Sequence, residues 1–356
     1  MGAVRKAAIA LGLVVVLAAA PVLWIETGCQ RPRMTVEASA SLLPPEERRA
    51  LVDTWLTYPE WSIVHAYEDF AQVGRARGEA AFDYVGSITG YWRSLCSLSG
   101  VASARGDIAT DMRAMLHIIG LSFSAEMAVK GAWESTIGRL TAWWRGPRPT
   151  AEDLFAADVN DAYAAFLRQT PWYEFPFGAT LVRFWRETPF GGVSLVRSTE
   201  RRIALSMEYG VKAIYAQVLG LAAGLAPAKL TIRTVVAGLD ERDTTADPRV
   251  RVVERRPDGL AVIETPRYRA FTEVLQGLAE RQRGLVEIAG NREIFVTVIA
   301  PSGSAALADT DLVLRVPIQS RTGFERLGLT VRVPNLPGIL TRTRTGPVVL
   351  EHVYDY

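Results

Sequence analysis

The sequence predicts an α+β fold, helices first and sheet second, behind an apolar N-terminal segment. Helical periodicity runs almost unbroken from about residue 42 to about residue 224, and after Ala226 short β-branched runs punctuated by Gly, Pro and Asp replace it. All nine tryptophans lie at or before Trp185, so the two regions fill their interiors by different means. The expected divisions are an N-terminal membrane anchor at 1–29, a connector at 30–41, a helical domain at 42–225 and an α+β sheet domain at 226–356.

Arg5 and Lys6 precede an uncharged apolar run from Ala7 to Ile25 that ends at Glu26. Crossing a bilayer as a helix takes about 20 such residues. A cleavable secretory signal competes with this reading, with Ala18, Ala19 and Ala20 before the cut and Pro21 after it. Retention is preferred because apolar residues continue through Val22, Leu23, Trp24 and Ile25, beyond a signal's short core, and Trp24 suits the membrane interface. Lipidation at Cys29 is the third reading, disfavoured because the preceding Ile25, Glu26, Thr27 and Gly28 put no leucine three positions upstream. The basic start favours a cytoplasmic amino terminus. The expected location is therefore a bacterial inner membrane crossed once, with the soluble part periplasmic.

Charged residues at 22% and apolar residues at 49% are ordinary for packed globular protein. A net charge of +2 implies no nucleic-acid partner. Lysine occurs only at Lys6, Lys130, Lys212 and Lys229, and this preference for arginine suits a GC-rich bacterial genome. The only cysteines are Cys29 and Cys96. In an oxidising periplasm they would pair and tie the base of the anchor to the helical body. Against that, Cys96 sits among Trp92, Leu95 and Leu98, where a buried free thiol is common.

Thr57 and Glu60 form a capping-box pattern around Pro59, which predicts a helix from Tyr58 to about Ala76. Further helices are expected from about Glu79 to Leu98 and from Asp107 to Trp144, the latter breaking near Gly120. The apolar stretch from Thr110 to Trp133 is read as a buried bundle helix rather than a second span, because Asp111, Arg113, His117, Glu126 and Lys130 interrupt it. Thr150 with Asp153 opens the next helix, which must stop before Pro171. From near Ser198, Ile203, Met207, Val211, Ile214, Val218 and Leu221 form one apolar stripe, expected to face a core. Strands are predicted at 230–236, 249–254, 260–265, 285–288, 294–300, 312–318, 327–333 and 348–353, with Asp258 and Gly259 as a hairpin turn. Short turns imply an antiparallel sheet, with one amphipathic helix over 268–282 covering it.

Candidate chemistry is sparse. The segment containing Trp172, Tyr173, Phe175 and Phe177 reads as an interaction loop or as a connector tucked into the helical core. Arg249, Arg251, Arg255 and Arg256 form a basic patch for an anionic ligand, or a solvated strand face. His65 and Glu68 share a helix face, yet a carboxylate-bridged di-iron bundle needs paired Glu-x-x-His motifs that this chain lacks. Ser94, Cys96, Ser97 and Ser99 lie in no Gly-x-Ser-x-Gly elbow, and Gly191 and Gly192 lack the Lys-Ser or Lys-Thr of a phosphate loop. Asp240 and Glu241 read as a loop. No catalytic, cofactor or metal residue is assigned. The expectation is a non-enzymatic envelope protein, anchored in the inner membrane, that binds another envelope component. The alternative is an enzyme or small-molecule carrier with His65, Glu68, Tyr173 or Arg251 converging between the domains.

Overall fold

The computed structural model describes residues 2–34, 40–223 and 230–356, without the side chains of residues 2–4, 6–11, 13–15, 17 and 219–223. The helices are α1 (Gly2–Gly28), α2 (Asp53–Leu56), α3 (Tyr58–Arg77), α4 (Tyr84–Arg105), α5 (Thr110–Trp133), α6 (Arg139–Arg145), α7 (Ala151–Leu167), α8 (Phe177–Glu187) and α9 (Leu195–Ala223). There follow β1 (Thr231–Ala237), α10 (Glu241–Ala246), β2 (Arg251–Arg255), β3 (Leu260–Pro266), α11 (Tyr268–Glu280), β4 (Gly284–Ile288), β5 (Glu293–Pro301), β6 (Thr310–Pro317), β7 (Phe324–Arg332), α12 (Leu336–Arg342) and β8 (Val349–Tyr354). The fold is α+β, a helical region followed by two antiparallel sheets. Many side chains of the Ala7 to Ile25 run, residues 35–39 of the connector and the 225/226 boundary lie outside the described residues. Among the described residues, no helix is long and apolar enough to cross a membrane.

Contacts divide the chain into two compact units, each assembled from separate stretches. The first comprises Met1–Pro59, Gly90–Leu121 and Lys229–Tyr356, the second Glu60–Thr89 and Ser122–Ala228. In the first, one sheet runs β2-β3-β1-β4 and the other β6-β7-β5-β8. Where a single sheet under one helix was expected, both sheets share a core with α11 and α12. Ile232, Ile263 and Leu285 from one sheet and Val296, Leu329 and Val353 from the other join Phe271 and Leu275 of α11 and Ile339 of α12. The alternation of β-branched residues locates every strand, but a short helix such as α12, entered through Pro337, carries too little periodicity to be read.

Residues 40–58 strap this core. Glu287 on β4, fully buried, accepts the Ser41 hydroxyl at 2.6 Å and the Leu42 and Leu43 amides at 3.0 and 3.3 Å. The Thr54 hydroxyl donates to the Tyr354 carbonyl at 2.7 Å and accepts the Phe295 amide at 3.0 Å, and the Trp55 indole donates to Thr330 at 2.9 Å. At the end of α1, Glu26 accepts Arg113 and His117, each at 2.8 Å.

Several local expectations are corrected. Thr57 closes α2 instead of opening α3: its backbone is helical, and its N–H and its hydroxyl both donate to the Asp53 carbonyl, the hydroxyl at 2.8 Å. Helix α5 does not break at Gly120. A Cβ there would stand 2.3 Å from the Tyr91 ring, so this glycine permits close approach of α4 rather than a turn. Asp240 is no loop residue but the N-cap of α10, in a capping box with Asp243. The capping box of Thr150 and Asp153 at α7 forms as expected. The α9 stripe is inverted: Ile203, Met207, Val211, Ile214 and Val218 are exposed, and the opposite, charged face is buried. The side chain of Leu221 lies outside the described residues.

Candidate functional site

The buried charges of the second unit form a sign-matched ladder between two helices. Glu126, Lys130 and Glu134 recur every four residues and therefore share a face of α5 and of the π turn that follows it, Glu134–Gly138. On α9 their partners come in reversed order. Lys212 Nζ lies 2.7 Å from Glu126, Lys130 Nζ donates to both oxygens of Glu208 at 3.0 Å, and Arg201 Nη1 lies 2.8 Å from Glu134. The π turn widens the helix locally and is a form often found at functional positions. Gly138 belongs to it, since a Cβ there would fall 2.4 Å from the Glu134 carboxylate.

Arg201 is the hub, only 2% exposed. Besides Glu134 it holds Glu79 at 2.9 Å, with its Nε 3.6 Å from Asp153. Asp153 also receives Arg197 at 2.9 Å, Arg197 reaches Glu200 at 2.7 Å, and Glu200 accepts the Trp133 indole N–H at 2.6 Å. Beside it, Arg202 donates to Glu152 at 3.0 Å and to the Thr188 carbonyl at 2.6 Å. The two lysines stand against aromatic faces, Lys130 4.3 Å from the Phe70 ring centre and Lys212 5.0 Å from that of Tyr163. A compact ammonium fits such a cage while keeping its carboxylate, which explains lysine here in a chain otherwise built with arginine.

Burial and neighbours pull these carboxyls apart. Burial pushes Glu134 up to about 7, against the pull of Arg201 and with the help of nearby Glu79. Burial also acts on Glu79, but Arg201 and Lys130 outweigh it and hold that carboxyl below its usual value. Glu208 is drawn down to about 2, because Lys130 and Lys212 overcome its burial. Glu134 and Glu208 have opposite consequences for stability. Folded Glu134 binds its proton more tightly than the unfolded chain does, so its contribution is present below pH 4.5 and lost as pH rises through about 7, a loss of order 3 kcal/mol. Glu208 stabilises above pH 4.5 and ceases to do so as pH falls towards 2. We expect Glu134→Gln to abolish the decline in urea-unfolding midpoint between pH 5 and 8; an unchanged decline would assign it to other groups.

The residues singled out in the sequence are distributed as follows. Cys29 and Cys96 are joined by a disulfide that links the end of α1 to α4. Phe175 and Phe177 are buried, their rings 5.0 and 5.3 Å from Tyr163, while Trp172 and Tyr173 are half-buried, Trp172 lying 5.2 Å from Tyr215. The four arginines of the basic patch each meet separate partners. Arg249 binds Asp247 and Glu273, Arg251 binds Glu264, Arg255 donates to the Leu239 carbonyl and Arg256 to that of Leu42. His65 Nδ1 lies 3.1 Å from Glu68, which also pairs with Arg168. Arg251 belongs to the first unit and His65, Glu68 and Tyr173 to the second. Among the described residues, no group of three or more His, Cys, Asp or Glu is placed to hold a metal ion.

Sequence patterning alone does not single out Glu79, Glu134 and Arg201. Their signal is the four-residue spacing of Glu126, Lys130 and Glu134 within an otherwise apolar stretch, which marks a charged face that must find partners. The arrangement is charge-matched and occupied by its own side chains, so it can orient helices and hold one proton near neutrality. Comparison with protein-family models, curated proteins and solved structures finds no match for the chain.

Proposed function

We propose that this chain is a single-pass, membrane-anchored protein of a bacterial envelope, whose periplasmic body binds another envelope component rather than catalysing a reaction. The observation that carries the reading is the Cys29–Cys96 bond, placed four residues after the apolar run ends at Ile25. Disulfides persist in oxidising compartments, so the bond supports a body on the side opposite a cytoplasmic amino terminus. It also occupies the sulfur that lipidation would require. The non-enzymatic part rests on the charged interior, whose carboxylates and cations satisfy one another.

The test is gel-shift labelling of the full chain in its native membranes with a maleimide polymer, followed by brief crosslinking, mild solubilisation and mass spectrometry. Labelling only after reduction and a reproducible protein partner are expected. Immediate labelling would remove the periplasmic placement, and a chain recovered alone would remove the scaffold role. A carrier or enzyme is the second reading, favoured by the near-neutral carboxyl of Glu134 on a π turn. It predicts a bound small molecule in the same spectra.

A further inference from the structure

The second unit is built inside out, and we infer that its α9 and α5–α6 face lies bedded in the surface of a lipid bilayer. From Leu195 to Val218 every charged residue of α9 turns inward: Arg197, Glu200, Arg201, Arg202, Glu208 and Lys212 are all ion-paired within the unit. The outward residues are uncharged and mostly apolar, with Val211 65% and Ile214 67% exposed. This dry face is about 35 Å long at 1.5 Å per residue. The outer face of α5 and α6 continues the pattern with Val129, Ile137 and Leu140.

In water the opposite arrangement is favoured, because arginine, lysine and glutamate are almost never fully buried and removing each from water costs several kcal/mol. Burying five such groups on one helix, and half-burying Glu208, while exposing its Ile, Met and Val residues is stable only if the medium outside disfavours charge more than the interior does. Hydrocarbon is such a medium, and charged groups of membrane-bound helices accordingly face inward and pair. A protein partner places charged and polar residues around its rim, which the outward side of α9 lacks.

Two further features suit lipid. Trp143 and Trp144, the former 75% exposed, end α6 beside exposed Arg139 and Arg148, the pairing of indole and guanidinium found at headgroup level. Asp158 of α7 and Arg183, Arg186 and Glu187 of α8 instead face outward, as in the exposed pairs of Arg75 with Asp158 and Arg183 with Glu187, and only Glu152 and Asp153 in the first turn of α7 join the buried network. The unit thus has a wet side and a dry side, as a monotopic amphipathic body does. The inference concerns lying on the membrane rather than crossing it, and it does not depend on the N-terminal anchor.

The test uses the full chain with its disulfide intact and one added cysteine labelled with an environment-sensitive fluorophore. Val211→Cys and Leu140→Cys report the dry face, Asp158→Cys and Arg186→Cys the wet one. The protein is reconstituted in phosphatidylcholine–phosphatidylglycerol vesicles containing lipids with a shallow nitroxide. We expect the nitroxide to quench residues 211 and 140 at least about threefold more than 158 and 186, as burial of about 5–10 Å requires, with iodide showing the reverse order. Iodide quenching at 211 and 140 overturns the inference. Shielding there from both quenchers also overturns it, in favour of a second copy covering the face. Vesicle flotation keeps the anchor separate: a chain that floats with residues 211 and 140 wet retains the anchor and loses this proposal.

Discussion

Replacing Arg201 by methionine is expected to lower the stability of the helical unit by about 3 to 5 kcal/mol, enough to unfold many domains. The guanidinium holds Glu79 and Glu134 directly and Asp153 through its Nε side, in an interior too tightly closed for solvent to take its place. Methionine keeps the volume and leaves three carboxyls facing one another. The damage should therefore be electrostatic and reversible in part: adding Glu79→Gln and Glu134→Gln to Arg201→Met should recover more than half of the loss. Urea unfolding followed through Trp133 and its neighbours in that unit reads both. A triple variant no more stable than Arg201→Met alone would show that the residue acts by packing and hydrogen bonding instead of by charge.

Breaking the Cys29–Cys96 link should cost about 4 kcal/mol in the chain-entropy picture, because the bond closes a loop with a sequence separation of 67 residues. Cys29→Ser, Cys96→Ser and the double variant should lose the same amount, since each removes one bond and the losses are not additive. Trp55 and Trp92, both in the first unit, report the transition. Additive losses would mean that the cysteines stabilise through separate packing contacts.

How far the sequence can be read depends on what each pattern encodes. The eight strands are legible because alternation within short β-branched runs is a local property, as in Ile294 to Ala300. The grouping of those strands into two sheets is not, since β1 pairs with β3 and β4, and β5 with β7 and β8, across connections that carry no local sign. The α9 stripe shows the deeper limit. Ile203, Met207, Val211, Ile214 and Val218 establish that the helix has two faces, but periodicity alone does not say which faces inward. The ladder partners lie on α5 and the π turn, so the decisive information is the complementarity of Glu126, Lys130 and Glu134 with Lys212, Glu208 and Arg201, a relation between distant segments. Thr57 does not open α3 for a simpler reason: it ends α2 with a helical backbone, whereas an N-cap residue is extended.

The strap over the first unit also sets a timetable for biogenesis. Thr54 meets its partner at Tyr354 across 300 positions of chain, and Ser41 waits 246 positions for Glu287. At ribosomal rates of about 5–20 residues per second, the amino-terminal strap stands without its sheet for roughly 15 to 60 seconds. The helical unit, whose segments are all synthesised by residue 228, has its full complement of partners long before. Folding of this chain is therefore ordered in time, and Leu43, Trp55 and Tyr58 present apolar surface that a holding chaperone would have to cover until the last strand arrives.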